Sequence, residues 1–307
     1  DRLGLDGLSH WMDVFGLGRP TGIGIAEVRG RLPDSAPATL DEAARNQAKW
    51  FGGIGQGYVG ATPLQMANVA ATIARNGVWM RPHLIATSDM RELEKRVPPS
   101  NGYRWSDVPE RVALPISSQA LAAAQEGMKR VANSLAGTGR LEREDGLIAA
   151  GKTGTAQAAH FLIPTLDENG KPVLDEKGNP LRTALAPSTF KNPDSLAPWY
   201  LGFGEKGTDV KHSWYIGYAP ADHPRIAFAV LVEYGGSGGT AAKFIANKIL
   251  DACIRQGYIA SPNNLALGDG HAGTERTRAV PATSPTIPPA LSTIPAAPTT
   301  NATDLIH

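Results

Sequence analysis

The 307-residue chain has a single cysteine, Cys253. No intrachain disulfide can form, so thiol content does not report the compartment. No apolar run reaches the ~18–20 residues that a membrane-spanning helix requires. No signal-peptide pattern opens the chain, and it starts on Asp1 rather than methionine. The start, Asp1-Arg2-Leu3-Gly4, reads as entering mid-element, so the chain is expected to be a fragment with any export signal or anchor upstream. An excess of one charge is also missing. Thirty Lys and Arg against 29 Asp and Glu leave a formal net charge of +1, which argues against nucleic acid or another polyanion as partner. What is present is ordinary: 42% hydrophobic and 19% charged residues, enough for one large or two small domains with a substantial core.

Periodicity and turn chemistry give a coarse order of elements. Asp6 to Phe15 predicts a helix with Leu8, Trp11, Met12 and Phe15 on one face. Thr39-x-x-Glu42 predicts a capping box and a short helix through Ala48. Thr62, Pro63 and Gln65 predict a second box and a helix ending at Asn76-Gly77. Val78 to Ile85 reads as extended, and Arg91 to Pro115 as surface loops and short strands. Ser117 or Ser118 caps a helix to about Ala132, with Leu121, Gln125, Met128 and Val131 on one face. Residues 158–211 read as an insertion. In it Leu166 to Val173 is echoed by Leu174 to Leu181, either a protruding hairpin or a polar loop. Ser213 to Ala219 alternates as a strand, and Arg225 to Glu233 reads as a central strand covered on both faces. Thr240 to Arg255 reads as a helix with Phe244, Ile245, Ile249, Ala252, Cys253 and Ile254 inward. From about Ser261 the composition shifts to Gly, Pro, Thr, Ala and Ser, which cannot bury enough to order itself. The division is thus a folded part over 1–256 and a disordered tail over 257–307. The order suggests an antiparallel sheet with a long helix lying back over it.

One stretch carries chemistry. Gly151-Lys152-Thr153-Gly154-Thr155-Ala156-Gln157 follows an apolar run and reads as a strand whose glycines allow close approach to its backbone. An ammonium and two hydroxyls on it suit a carboxylate or another anion. The plain alternative is a solvated strand lysine. Three further patterns are weaker. Gly146 to Thr153 fits a phosphate-binding loop by letter, yet its variable positions continue a strand and no helix pattern follows. Gly55-x-Gly57-x-x-Gly60 precedes a helix but lacks the strand and the later acidic residue of a dinucleotide site. Ser188-Thr189-Phe190-Lys191 spaces a serine and a lysine for proton transfer, but Pro187 and Pro193 leave it barely one helical turn. No cofactor and no metal is expected.

The chain resembles the penicillin-binding proteins, and within them the class B, elongation-type penicillin-binding protein 2 branch of Gram-negative bacteria. Four motifs carry the likeness, in family order over about residues 1–256. They are Phe15 to Ile23 (FGLGRPTGI), Gly53 to Gly57 (GIGQG) with Ala61 to Met66 (ATPLQM), Lys152 to Gln157 (KTGTAQ), and Trp214 to Pro220 (WYIGYAP). The resemblance implies the penicillin-recognising α/β fold, an antiparallel five-stranded sheet flanked by helices, here incomplete at the N-terminus. It implies a serine D,D-transpeptidase that cross-links peptidoglycan stem peptides and is acylated by beta-lactams. Carried over, Lys152 sets a positive field and shares the proton network. Thr153 and Thr155 hydroxyls hold the terminal carboxylate, and the Thr155 amide is an oxyanion donor. Gly154 leaves room for the substrate backbone.

The family's Ser-x-x-Lys and Ser-x-Asn/Asp motifs precede the region where this chain starts. Ser188–Lys191 and Ser261-Pro262-Asn263 both lie on the wrong side of the lysine strand. The nucleophile is therefore expected outside these residues. Alternatives are a serine beta-lactamase of the same fold, a non-catalytic peptidoglycan- or penicillin-binding fragment, and a P-loop ATPase. The resemblance further implies the periplasmic side of the inner membrane, a polymerising glycosyltransferase partner and elongation-complex proteins.

Overall fold

Side-chain caps open three of the helices in the computed structural model, which describes residues 3–35, 39–96, 105–158, 162–184 and 211–260. Helix α1 spans Gly4–Val14. Its buried residue is Ser9, whose hydroxyl accepts from the Asp34 amide at 2.9 Å, while Trp11 on the expected apolar face is exposed. Helix α2 spans Glu42–Gly53, and its cap is Asp41, which accepts from the Ala44 amide, rather than Thr39. Helix α3 spans Pro63–Ala74 with the Thr62/Gln65 capping box in place. It stops where Asn76 and Gly77 take positive φ. Helix α5 spans Ser118–Asn133 from a Ser117 cap.

Two expectations fail between α3 and α5. The strand β1 is only Val78–Met80, paired antiparallel with β2, Arg111–Ala113. A helix, α4, spans Thr87–Arg96 and so runs into the stretch from Arg91 that reads as loops and short strands. Its Glu, Leu, Lys and Arg are good helix formers, Met90 is buried beneath it, and basic residues close its last turn. The disrupting prolines, Pro98 and Pro99, come after it.

The main sheet has three described strands in the order β3-β6-β7, all antiparallel. They are β3 at Ala150–Gln157, β6 at Lys211–Ala219 and β7 at Ile226–Val232. The central strand is thus β6. Strand β7, expected to be central, has one strand neighbour among the described residues. Its apolar run is explained by its faces instead, because α3 packs on one and α6, Ala241–Arg255, on the other. The α6 face holds Tyr215, Phe228 and Val230 against Ala242, Ala246 and Leu250. The opposite face holds Ala150 and Tyr218 against Met128, Ile73 and Ala74. Contrary to the sequence reading, Phe244 and Ile245 are exposed on α6, since close packing on the sheet selects its alanine row. Ile259 is buried in the same core, so the folded part passes the expected boundary at 256.

Within 158–211, β4 (Leu162–Pro164) pairs antiparallel with β5 (Arg182–Ala184). Between them the echoed segments form two equivalent turns. The Asp167 carboxylate accepts from the Asn169 and Lys171 amides, and that of Asp175 from the Lys177 and Asn179 amides. Thr165, Val173 and Leu181 bond to one another through their backbones, one from each segment boundary. This bears out the turn signals and a hairpin built on β4 and β5. The described residues include no helix long and apolar enough to cross a membrane.

Candidate active site at the edge of strand β3

The β3–β6 register pairs Thr153 with Tyr215, Gly154 with Trp214 and Thr155 with Ser213. Alternation puts Thr153 and Thr155 on the α6 face, and Lys152 and Gly154 on the other. The lysine and the hydroxyls therefore leave the strand on opposite faces. Exposed Lys152 donates from Nζ to the Thr153 carbonyl at 2.7 Å, round that edge. The Thr155 carbonyl also faces the edge, where it accepts from Gln56 Nε2 at 2.6 Å. In an extended strand the N–H and C=O of one residue point the same way. The amides of Thr153 and Thr155 thus face the open edge, where an added ligand would meet them.

Both hydroxyls are held. Thr153 Oγ1 lies 3.0 Å from Thr138 Oγ1, and Thr155 Oγ1 accepts from the Gly238 amide at 3.2 Å. Two loops thus close on the α6 face of the strand, one after α5 and one before α6. Glycines permit both approaches. A Cβ on Gly238 would run into the Gly154 carbonyl, and one on Gly139 would come within 2.9 Å of Thr153 Cγ2. Beneath them Tyr215 is fully buried and donates to the Gly139 carbonyl at 3.0 Å. Burial pushes its phenol well above the ordinary tyrosine range, so it stays a donor. Gly151 makes room for the Tyr215 ring, as a side chain there would overlap it. A Cβ on Gly154 would sit 3.1 Å from that of Trp214, so glycine keeps this face of the strand low.

The four residues singled out in the sequence, Lys152, Thr153, Gly154 and Thr155, therefore share one edge and its flanks. Gln56, Thr138 and Gly238 were not singled out as site residues. Gln56 stood in the Gly-x-Gly-Gln-Gly run from Gly53 to Gly57, and Thr138 and Gly238 beside glycines; glycine clustering was the available signal. The phosphate-loop pattern is excluded. Its lysine lies inside β3, and the residues after it, through Gln157, continue that strand where the pattern needs a helix. The Gly55–Gly60 pattern follows helix α2 rather than a strand. Ser188–Lys191 and Ser261–Asn263 lie outside the described residues. No cluster of metal-ligating side chains occurs among the described residues.

A family model for the penicillin binding protein transpeptidase domain matches residues 1–161 and 201–251. The chain belongs to the penicillin-binding protein transpeptidase family. The family match passes over 162–200, which holds the hairpin. Among curated members, the peptidoglycan D,D-transpeptidase MrdA of Haemophilus influenzae is 31% identical over 262 residues, 83% of this chain and 33% of that protein. MrdA of Escherichia coli K12 is 30% identical over 256 residues, 81% of this chain and 33% of the relative. The chain thus spans about a third of the length of the curated relatives it matches. Pseudomonas aeruginosa PBP2, solved in complex with WCK 5153, superposes with a TM-score of 0.53 at 25% identity. That superposition covers 82% of this chain and 43% of the PBP2 chain.

Proposed function

We propose that the whole protein is a peptidoglycan D,D-transpeptidase of the elongation type, and a target of beta-lactams. The observation that carries this reading is the outer edge of β3. It offers an outward Thr155 amide, a lysine at the same edge and two threonine hydroxyls on its flank. The curated relatives bearing that activity match more than four fifths of this chain.

In this reading a stem peptide ending in D-Ala-D-Ala lies along the β3 edge. A serine hydroxyl adds to the penultimate carbonyl and gives up its proton to a neighbouring base. The carbonyl oxygen gains negative charge and is received by the Thr155 N–H. The C–N bond breaks, D-Ala leaves with a proton, and an ester remains. An amine from a neighbouring stem attacks that ester, forms the cross-link and frees the serine. The Lys152 ammonium supports the negative charge of the terminal carboxylate, which Thr153 and Thr155 hydroxyls orient. Gly154 keeps the strand's surface low. A preorganised N–H at the oxyanion is worth ~10²–10³ in rate. The serine is proposed to come from outside this chain, by its own Ser-x-x-Lys motif. The same reading places the protein on the periplasmic side of the inner membrane, working with a polymerising glycosyltransferase and elongation-complex proteins.

Benzylpenicillin and intact mass spectrometry test this. The chain is compared with the same chain extended to its relatives' length. The expected result is an adduct on the extended protein alone, with its rate cut at least ~10²-fold by Lys152→Ala. No adduct on the extended protein would overturn the reading. An adduct on Ser188 would overturn the β3 site and move it to the 158–211 stretch.

A further inference from the structure

The Gln56 side chain occupies two edge-facing backbone groups of β3. Its Nε2 donates to the Thr155 carbonyl at 2.6 Å, and its Oε1 accepts from the Gln157 amide at 3.0 Å. A carboxamide spanning the C=O of residue i and the N–H of residue i+2 makes the two bonds that one residue of a parallel strand would make. Gln56 therefore replaces a neighbouring strand at one point of the edge, about a hundred residues away in sequence.

The preceding turn is built to deliver it. Helix α2 unwinds through Gly55 and Gly57, at φ of 75° and 70°, one on each side of Gln56. The Gln56 amide is tied back to the Phe51 carbonyl at 2.8 Å. A Cβ on Gly57 would lie 3.1 Å from that of Phe51, so the turn lies close against the helix. L-residues other than glycine rarely hold such φ values. The glycines that imitate a dinucleotide fingerprint thus serve to aim a half-buried glutamine at the strand.

We propose that Gln56 is a positioning residue for acyl transfer at this edge, an inference that rests on the transpeptidase reading. By holding the Thr155 carbonyl it fixes the strand beside the Thr155 amide, the oxyanion donor. By holding the Gln157 amide it ends the edge available to an extended peptide. A stem peptide or a beta-lactam pairs at Thr153 and Thr155 and goes no further along β3.

The variants Gln56→Glu and Gln56→Ala, in the protein extended to its relatives' length, test this through acylation by benzylpenicillin. Each rate is taken as a ratio to wild type at the same pH. A protonated glutamic acid reproduces both bonds, donating to Thr155 and accepting from Gln157. An ionised one cannot donate and faces the Thr155 carbonyl with like charge. Lys152 Nζ, on the Thr153 carbonyl, is the other charged group bonded to this edge among the described residues, and it is unchanged in both variants. The Gln56→Glu ratio is expected near one at acid pH and about tenfold lower once the new carboxyl ionises, at or above its ordinary ~4.3. The Gln56→Ala ratio is expected about tenfold low at every pH, with faster hydrogen exchange at the Gln157 amide. A reactive wild type with a pH-independent Gln56→Glu ratio, or unchanged Gln157 exchange in Gln56→Ala, overturns this inference alone. A wild type that benzylpenicillin never acylates overturns the transpeptidase reading and this inference with it.

Discussion

Tyr215 shows how a site of small residues gets its shape from one large side chain. It is fully buried under Gly151, pairs with Thr153 across the sheet and hydrogen-bonds the Gly139 carbonyl. Tyr215→Phe should keep the packing but leave that carbonyl without its donor. The expected cost is ~1–3 kcal/mol, read from urea unfolding. Because burial raises the Tyr215 pKa, its neutral form is favoured in the fold. That contribution is full below the unfolded value of ~10 and is lost as pH rises through the folded value. Wild-type stability should therefore fall above about pH 10, and the fall should be smaller in Tyr215→Phe. The sequence announced Lys152, Thr153, Gly154 and Thr155, because a lysine among glycines and hydroxyls is chemically distinctive. It gave no role to Tyr215, an ordinary aromatic in an alternating strand, or to Gln56, whose partner only the fold brings near.

At the scale of elements, the segment leading into β3 is tied to α6 by Arg143. Its side chain is 7% exposed and bonds Asp145, Asn247 Oδ1 at 2.7 Å and Asp251 Oδ1 at 3.0 Å. Removing it strands two partly buried carboxylates. Arg143→Ala should destabilise by ~2–3 kcal/mol, below the fully buried case because water reaches both acids. Burial alone would raise the Asp145 pKa, but the Arg143 bond and charge and the Leu147 amide hold it below the ordinary value. Such a group stabilises above ~3.9 and loses that contribution as pH falls through its lowered value. The gap between wild type and Arg143→Ala in unfolding free energy should therefore narrow below about pH 4. Helices with explicit caps, α3 and α5, were legible in the sequence. Helix α4 was not, because its charged residues resemble loop composition and only buried Met90 betrays a packed face. The inward row of α6 was misassigned for a related reason. Size suggested Phe244 and Ile245, whereas closeness to the sheet required Ala242 and Ala246.

For the whole molecule, the order of elements was legible and the order of strands was not. Three apolar segments in sequence predict a sheet, but a long apolar run reports coverage of both faces and not centrality. Strand β7 is covered by α3 and α6, while β6 lies between its neighbours. The arrangement leaves β3 presenting its outer edge, with Thr155 facing outward, and the account of function depends on that edge. The most direct measurement is the benzylpenicillin acylation rate of the extended protein carrying Thr155→Pro or Thr155→Val. Proline removes the edge-facing N–H, and an outward N–H on an edge strand is where a sheet tolerates proline. Valine keeps the N–H and removes the hydroxyl. The expected loss is ~10²–10³-fold for Thr155→Pro and about tenfold for Thr155→Val, because only proline removes the oxyanion donor. Equal rates in the two variants, or a Thr155→Pro protein that folds and acylates like wild type, would contradict the account.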